Sequence, residues 1–135
     1  MIVLYTDGGS RGNPGPAAYG VRVETADGVL VTEFGEAIAP TTNNVAEYRG
    51  LIAGLGWALA HEHANVRVRS DSELLVKQMR GEYRVKHPGL QPLYVEARRL
   101  VAKIGTVVFE HVGSGKNTHA DRLANEAMDA REKTG

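Results

Sequence analysis

As far as Ile38 the apolar residues of this chain recur with the two-residue period of β-strands, and from Val45 onward helical and strand periods take turns. Residues 2–7 form an apolar, β-branched run that ends at Asp7. The next nine residues, GGSRGNPGP, hold four glycines and two prolines and read as a loop. Residues 18–25 and 29–38 alternate loosely about Ala26-Asp27-Gly28, whose Asp-Gly pair suits a hairpin turn. Three strands in an antiparallel meander are therefore expected. Over residues 45–61, Leu51, Ile52, Leu55 and Leu59 fall on one side of a helix. Residues 66–70 alternate as a strand, 73–79 and 92–104 read as helices, and 106–112 read as a last strand. Ala120, Leu123, Ala124, Ala127 and Met128 then fall at i, i+3, i+4, i+7 and i+8 of a closing amphipathic helix.

The order βββαβααβα joins the later strands through helices, and such crossovers make strands parallel. The expected architecture is α/β: a mixed five-stranded sheet, three strands antiparallel and the later ones parallel, flanked by helices. At 135 residues and 42% hydrophobic content the chain can bury one core, and no repeat, low-complexity tract or linker divides it. Residues 1–135 are read as a single domain. The polar tail Arg131-Glu132-Lys133-Thr134-Gly135 suits an end or a domain boundary.

The absence of cysteine removes disulfides, thiolate metal sites and cysteine nucleophiles together, so any metal must bind through oxygen or imidazole. The first residues, MIVLYTDGG, carry no basic leader and only a short apolar run, which points to a soluble, cytoplasmic protein with no membrane partner. Sixteen basic residues balance sixteen acidic ones. Zero net charge speaks against a nucleic-acid partner, because phosphate neutralisation usually drives that affinity. The distribution softens the objection: Lys77, Arg80, Arg84, Lys86, Arg98, Arg99 and Lys103 face only Glu82 and Glu96 within the same stretch, an excess of five. Such a run is either a solvated helical face or a phosphate-binding surface.

Four carboxylates stand at element ends. Asp7 closes the first strand, Asp71 closes the fourth, and Glu47 and Asp121 sit in the first turns of expected helices. Each has a structural explanation. Asn44-Val45-Ala46-Glu47 and Thr118-His119-Ala120-Asp121 both match the capping-box spacing. Asp71 can cap the helix after it, and Asp7 can form an Asx turn. Taken together they have another. If the two strands are neighbours, all four acids converge, and clustered carboxylates repel unless a divalent cation joins them. Mg²⁺ or Mn²⁺ suits oxygen ligands, and two such ions roughly 3.5–4 Å apart can activate a water and stabilise a leaving oxygen at phosphorus. No serine-nucleophile elbow, P-loop or dinucleotide fingerprint competes with this reading.

Four ordered motifs, YTDGGSRGNPGPAAYG (5–20), TTNNVAEY (41–48), SDSELLVKQMRGEY (70–83) and NTHADRLANEA (117–127), resemble type 1 ribonuclease H over nearly the whole chain. The resemblance is to compact members without the basic protrusion of longer relatives; similar domains also occur fused ahead of a phosphatase-type domain. It implies the ribonuclease H-like sheet, metal-dependent endonucleolytic cleavage of the RNA strand of RNA–DNA hybrids, and a catalytic metal-binding quartet of Asp7, Glu47, Asp71 and Asp121 with two Mg²⁺ or Mn²⁺ ions when substrate is bound. It further implies that Gly9, Ser10, Arg11 and Asn13, with Asn43 and Asn44, meet the minor groove of the hybrid, and that Thr42 holds a DNA-strand phosphate. Amides donate and accept, so they can read a 2′-hydroxyl and adjacent base edges without fixing sequence. For the two neighbouring asparagines, helix capping is the alternative. A monomer is expected, with a fused C-terminal domain a further expectation for the full-length protein.

One departure stands out. Many relatives carry a basic residue in the loop before the last acid, where this chain has Val112-Gly113-Ser114-Gly115-Lys116-Asn117. Lys116 and His119 are the candidates, and neither sits clearly at the equivalent place. His61, His63, His87 and His111 show no metal-ligand spacing and read as surface residues. Two rivals remain at this level: another two-metal nuclease or transferase of similar sheet architecture, such as a proofreading exonuclease or an integrase, and a non-catalytic hybrid-binding module. The Asn43-Asn44 pair and the loop after Asp7 favour hybrid recognition over the first, and the presence of all four acids argues against the second.

Overall fold

The computed structural model describes residues 1–134. The strands are β1 (Ile2–Ser10), β2 (Gly15–Thr25), β3 (Leu30–Thr41), β4 (Asn65–Ser70) and β5 (Thr106–His111). The helices are α1 (Asn43–Ala60), α2 (Glu73–Met79), α3 (Gln91–Ile104) and α4 (Thr118–Thr134), with a short 3₁₀ turn at Ser114–Lys116. The sheet order is β3-β2-β1-β4-β5. β1, β2 and β3 pair antiparallel, while β4 runs parallel to both β1 and β5. The element order and the mixed five-stranded sheet flanked by helices are those expected from the hydrophobic periods. Among the described residues no helix is long and apolar enough to cross a membrane.

The period-two pattern sets two faces. Ile2 and Leu4 align in register with Val66 and Val68, and these with Val107 and Phe109. This face joins Leu51 and Leu55 of α1 and Ala97, Leu100 and Ile104 of α3 in one buried core. Leu51 and Leu55 are fully buried, and each such side chain contributes about 1.5–3 kcal/mol by leaving water. α4 covers β2 and β3 from the other side. Gly20 makes that contact close, since a Cβ there would lie 2.2 Å from the Ala120 carbonyl oxygen.

Boundaries differ from the sequence reading where glycines meet helix backbone. Asp7 does not close β1: the strand continues through Gly8, Gly9 and Ser10, paired with Tyr19, Ala18 and Ala17 of β2. The Gly-rich loop shrinks to four residues, with Gly12 at φ +89°. Glycine is disfavoured in strands for entropy and lost packing, yet here α1 packs on the bare Gly8 backbone and holds it extended.

Candidate active site

The parallel pairing of β1 and β4 ends with Thr6 beside Ser70, so Asp7 and Asp71, one residue further on, emerge side by side. Glu47 reaches them from the second turn of α1. That approach depends on Gly8, where a Cβ would fall 2.2 Å from the Ala46 carbonyl oxygen and 2.5 Å from the Glu47 nitrogen. One carboxylate oxygen each from Asp7, Glu47 and Asp71 lie within 4.8 Å of one another. Asp121, on the first turn of α4, lines the same cleft as Asp7, with Gly8, Gly9, Ser10 and Asp71.

The capping explanations for these acids fail on geometry. Thr42, not Asn44, caps α1, its Oγ1 accepting the Val45 amide at 3.3 Å. Glu47 is thus the fifth helical residue, beyond the reach of a capping box. Thr118 is already helical and the Asp121 amide donates to the Asn117 carbonyl at 3.1 Å, so Asp121 is not the third residue of a Thr118-capped helix. The cap of α2 is Ser72, whose Oγ accepts the Leu75 amide, and not Asp71.

Burial and crowding govern the charge state. Asp7 is 8% exposed, and burial first, the Asp71 charge second, push its carboxyl from 3.8 to about 7. Glu47 is raised well above its ordinary value by burial and by the charges of Asp7 and Asp71; the Gly8 amide opposes the shift. Asp71 is raised by burial, against a hydrogen bond from Asn117 that favours its ionised form. Three hard oxygen donors, each raised above its ordinary pKa for want of a counter-charge, match the needs of a divalent cation.

The residues expected to meet substrate gather on one rim. The Asn43 side-chain oxygen accepts from the Ser10 amide at 2.8 Å and the Ser10 hydroxyl at 3.1 Å, and the Asn43 amide donates to the Asn13 side-chain oxygen at 3.0 Å. The β1–β2 turn and the start of α1 therefore form a single hydrogen-bonded unit beside Gly9. Asn13 satisfies a first-turn amide of α1 from 30 residues away, a capping role its loop position does not suggest. Asn44 lies exposed in the first turn. Arg11 is turned onto α4, where it pairs with Asp129 at 2.7 Å and Glu132 at 2.8 Å. Lys116 and His119 are exposed and lie outside the lining of the carboxylate cleft. His63 is half-buried rather than on the surface, because it and His61 stack on Trp57. Asn117 opens the fourth motif with no role expected of it; it is 1% exposed, its Nδ2 donates to the Thr6 carbonyl of β1 at 2.9 Å, and its own carbonyl accepts the Asp121 amide.

Five strands in the order 3-2-1-4-5, with acids meeting at the junction of the antiparallel and parallel halves, define a ribonuclease H-like domain. The family model described as reverse transcriptase-like matches residues 5–127. Ribonuclease H of Sulfurovum sp. is 40% identical over 94% of this chain and 90% of its own length. The chain belongs to this family and, within it, to the ribonuclease H proteins. Bifunctional protein Rv2228c of Mycobacterium tuberculosis is 52% identical over 96% of this chain, which spans only 36% of that protein. The solved N-terminal RNase H domain of Rv2228c superposes with a TM-score of 0.94 at 51% identity, covering 98% of this chain and 96% of that one. LC11-RNase H1, isolated from compost by a metagenomic approach and solved in complex with an RNA/DNA hybrid, superposes with a TM-score of 0.92 at 41% identity, covering 97% and 99%.

Proposed function

We propose that this chain hydrolyses the RNA strand of RNA–DNA hybrids endonucleolytically, acting as a soluble cytoplasmic monomer. The observation that carries the reading is the meeting of the Asp7, Glu47 and Asp71 carboxylate oxygens within 4.8 Å, beside a rim of exposed asparagine amides. Asp7, Glu47, Asp71 and Asp121 would hold two Mg²⁺ or Mn²⁺ ions with substrate. Ions bound there supply a Lewis acid for the attacking water and charge neutralisation for the leaving oxygen. The water oxygen bonds to phosphorus as the bond to the 3′-oxygen breaks, and the proton passes to that oxygen, leaving 5′-phosphate and 3′-hydroxyl ends.

The remaining residues bind and orient. Gly9, Ser10, Asn13, Asn43 and Asn44 form the surface that meets the minor groove, where 2′-hydroxyls mark the RNA strand, with Arg11 joining it through its backbone while its guanidinium stays on Asp129 and Glu132. The rim is held by its own hydrogen bonds, so substrate meets donors and acceptors already in place. Thr42 accepts from Val45 and so keeps its hydroxyl proton to donate to a DNA-strand phosphate. The test is a gel assay of end-labelled hybrid beside single-stranded RNA, duplex RNA and duplex DNA, with Mg²⁺, with Mn²⁺ and with excess EDTA. Cleavage of the hybrid's RNA strand alone, only with metal, is expected; equal cutting of duplex RNA or full activity in EDTA would remove the proposal.

A further inference from the structure

The turn between β1 and β2, residues 11–14, carries the middle of the substrate-facing rim, and Gly12, Asn13 and Pro14 in it are exposed. Toward α1 it is held by the bonds that Ser10 and Asn13 make with Asn43. The Arg11 amide donates to the Pro16 carbonyl at 2.8 Å, and Gly15 passes so close that a Cβ there would lie 2.1 Å from the Arg11 carbonyl oxygen. The Arg11 backbone is thereby fixed, and its side chain crosses to α4. Nη2 donates to the Asp129 carboxylate at 2.7 Å and, at 3.4 Å each, to the Asn125 carbonyl and side-chain oxygens, while Nη1 donates to Glu132 at 2.8 Å. Asn125, Asp129 and Glu132 follow at i, i+4 and i+7, a stripe along one face of the helix. The Asn125 Nδ2 donates in turn to the Asp121 carbonyl at 3.0 Å, so the stripe runs back to the residue that carries the fourth acid. Arg11 and Asn125 line the same cleft as Asp7, Asp71 and Asp121.

Exposed ion pairs add little to the stability of a fold, because solvent and salt screen them. A planar guanidinium with several donors in a fixed fork does more for geometry. The start of α4 is already set by the close contact of Ala120 with Gly20 and by the Asp121 amide on the Asn117 carbonyl. The helix is therefore the fixed partner, and the exposed turn is what gains order. We propose that Arg11 is a positioning residue whose guanidinium clamps the β1–β2 turn to α4, so that the minor-groove rim stands in one place beside the carboxylates. This rests on the hybrid-cleaving function proposed above. Its charge is spent inside the protein, and the rim meets substrate through amides and backbone. Loss of the clamp leaves the acids where they are, so the cost falls on substrate binding and not on the chemical step.

The experiment compares wild type, Asp129→Asn with Glu132→Gln, Arg11→Gln, and all three changes together, by hybrid-cleavage kinetics and Mn²⁺ titration calorimetry, with melting in EDTA to establish that each variant is folded. Replacing the two acids releases the clamp while Arg11 and every rim residue stay in place. KM for the hybrid should rise about three- to tenfold, within what two exposed ion pairs can supply, with kcat and Mn²⁺ affinity unchanged. Arg11→Gln should raise KM by the same factor, and the triple variant should go no further. An unchanged KM in the folded acid-pair variant, or a lower one because the released guanidinium grips phosphate, would overturn the clamp, as would lost Mn²⁺ affinity or factors that multiply in the triple variant. If the acid pair cannot be replaced together without unfolding, Asp129→Asn and Glu132→Gln singly carry the test, each with a smaller rise expected and an unchanged KM in both overturning it. These results bear on the clamp alone; a wild type that cuts no hybrid with metal present overturns the functional reading and the clamp with it.

Discussion

Asp7 and Asp71 show how a site can oppose the fold that builds it. An acid whose folded pKa is raised binds more protons folded than unfolded, so its contribution to stability is fully present below the unfolded value and is lost as pH rises through the folded one. For Asp7 that window runs from about pH 4 to about pH 7. Asp71→Asn removes one neighbouring charge at constant size, so in EDTA its melting temperature should exceed that of wild type by a margin that widens across this window. Cleavage should collapse in the same variant. Parallel melting curves from pH 5 to pH 8 would mean the carboxylates do not repel. The asparagines separate binding from capping, and the structure decides which one does so. Asn13 accepts the Asn43 amide, so Asn13→Ala should cost about 1 kcal/mol of stability as well as hybrid affinity. Asn44 carries no such bond among the described residues, and Asn44→Ala should raise KM with a stability change within about 0.5 kcal/mol. A melting shift in Asn44→Ala as large as that of Asn13→Ala, with KM unchanged, would make it structural.

At the scale of elements, the site exists because α1 lies against β1 closely enough to bring Glu47 to Asp7. Gly8→Ala would place a methyl 2.2 Å from the Ala46 carbonyl oxygen, and neither backbone can yield as a flexible side chain would. Overpacking of this kind costs about 1–3 kcal/mol. Calorimetry should show Mn²⁺ affinity lost in the folded variant, because the shift that relieves the clash withdraws Glu47; retained affinity would show that this contact does not set the site. The element order was legible because helix and strand periods differ, but the convergence of Asp7 with Asp71 was legible only on the condition that β1 and β4 are neighbours, which the sheet order supplies and no hydrophobic period does. The continuation of β1 through Gly8-Gly9 was not legible, since glycines signal a loop unless another backbone packs on them. Nor was the start of α1, because Thr41-Thr42-Asn43-Asn44 offers four residues able to cap and only the chain path selects Thr42. The partners of Arg11, Asn13 and Asn117 lie 30 residues or more away, beyond any spacing rule.

For the molecule as a whole, zero net charge hides an uneven pairing. Arg22 pairs with Glu24 and Glu33, Arg67 and Arg69 share Glu110, and Arg122 joins Glu33 to Glu126. These ion pairs hold positive charge where it cannot grip a polyanion. The stretch Lys77–Lys103 is also partly committed: Lys77 pairs with Glu73, Arg98 donates to the Met79 carbonyl and Arg99 pairs with Glu96. Arg84 and Lys86 make no ion pair or hydrogen bond among the described residues, and with Leu74 and half-exposed Tyr83 they line a shallow surface groove. A carboxylate cluster repels phosphate until cations neutralise it, so affinity in a neutral protein must come from segregated positive charge of this kind. Reversing both residues, Arg84→Glu with Lys86→Glu, should raise KM for the hybrid and flatten the plot of log affinity against log salt by about two units, one for each lost phosphate contact. The value of kcat at saturating substrate should hold, because these side chains would contact ground state and transition state alike. Binding titrations of the double variant from 50 to 200 mM salt decide the matter. An unchanged slope would make the stretch a solvated face and move the grip to Arg49 and Lys116, since Arg11 is already committed to Asp129 and Glu132.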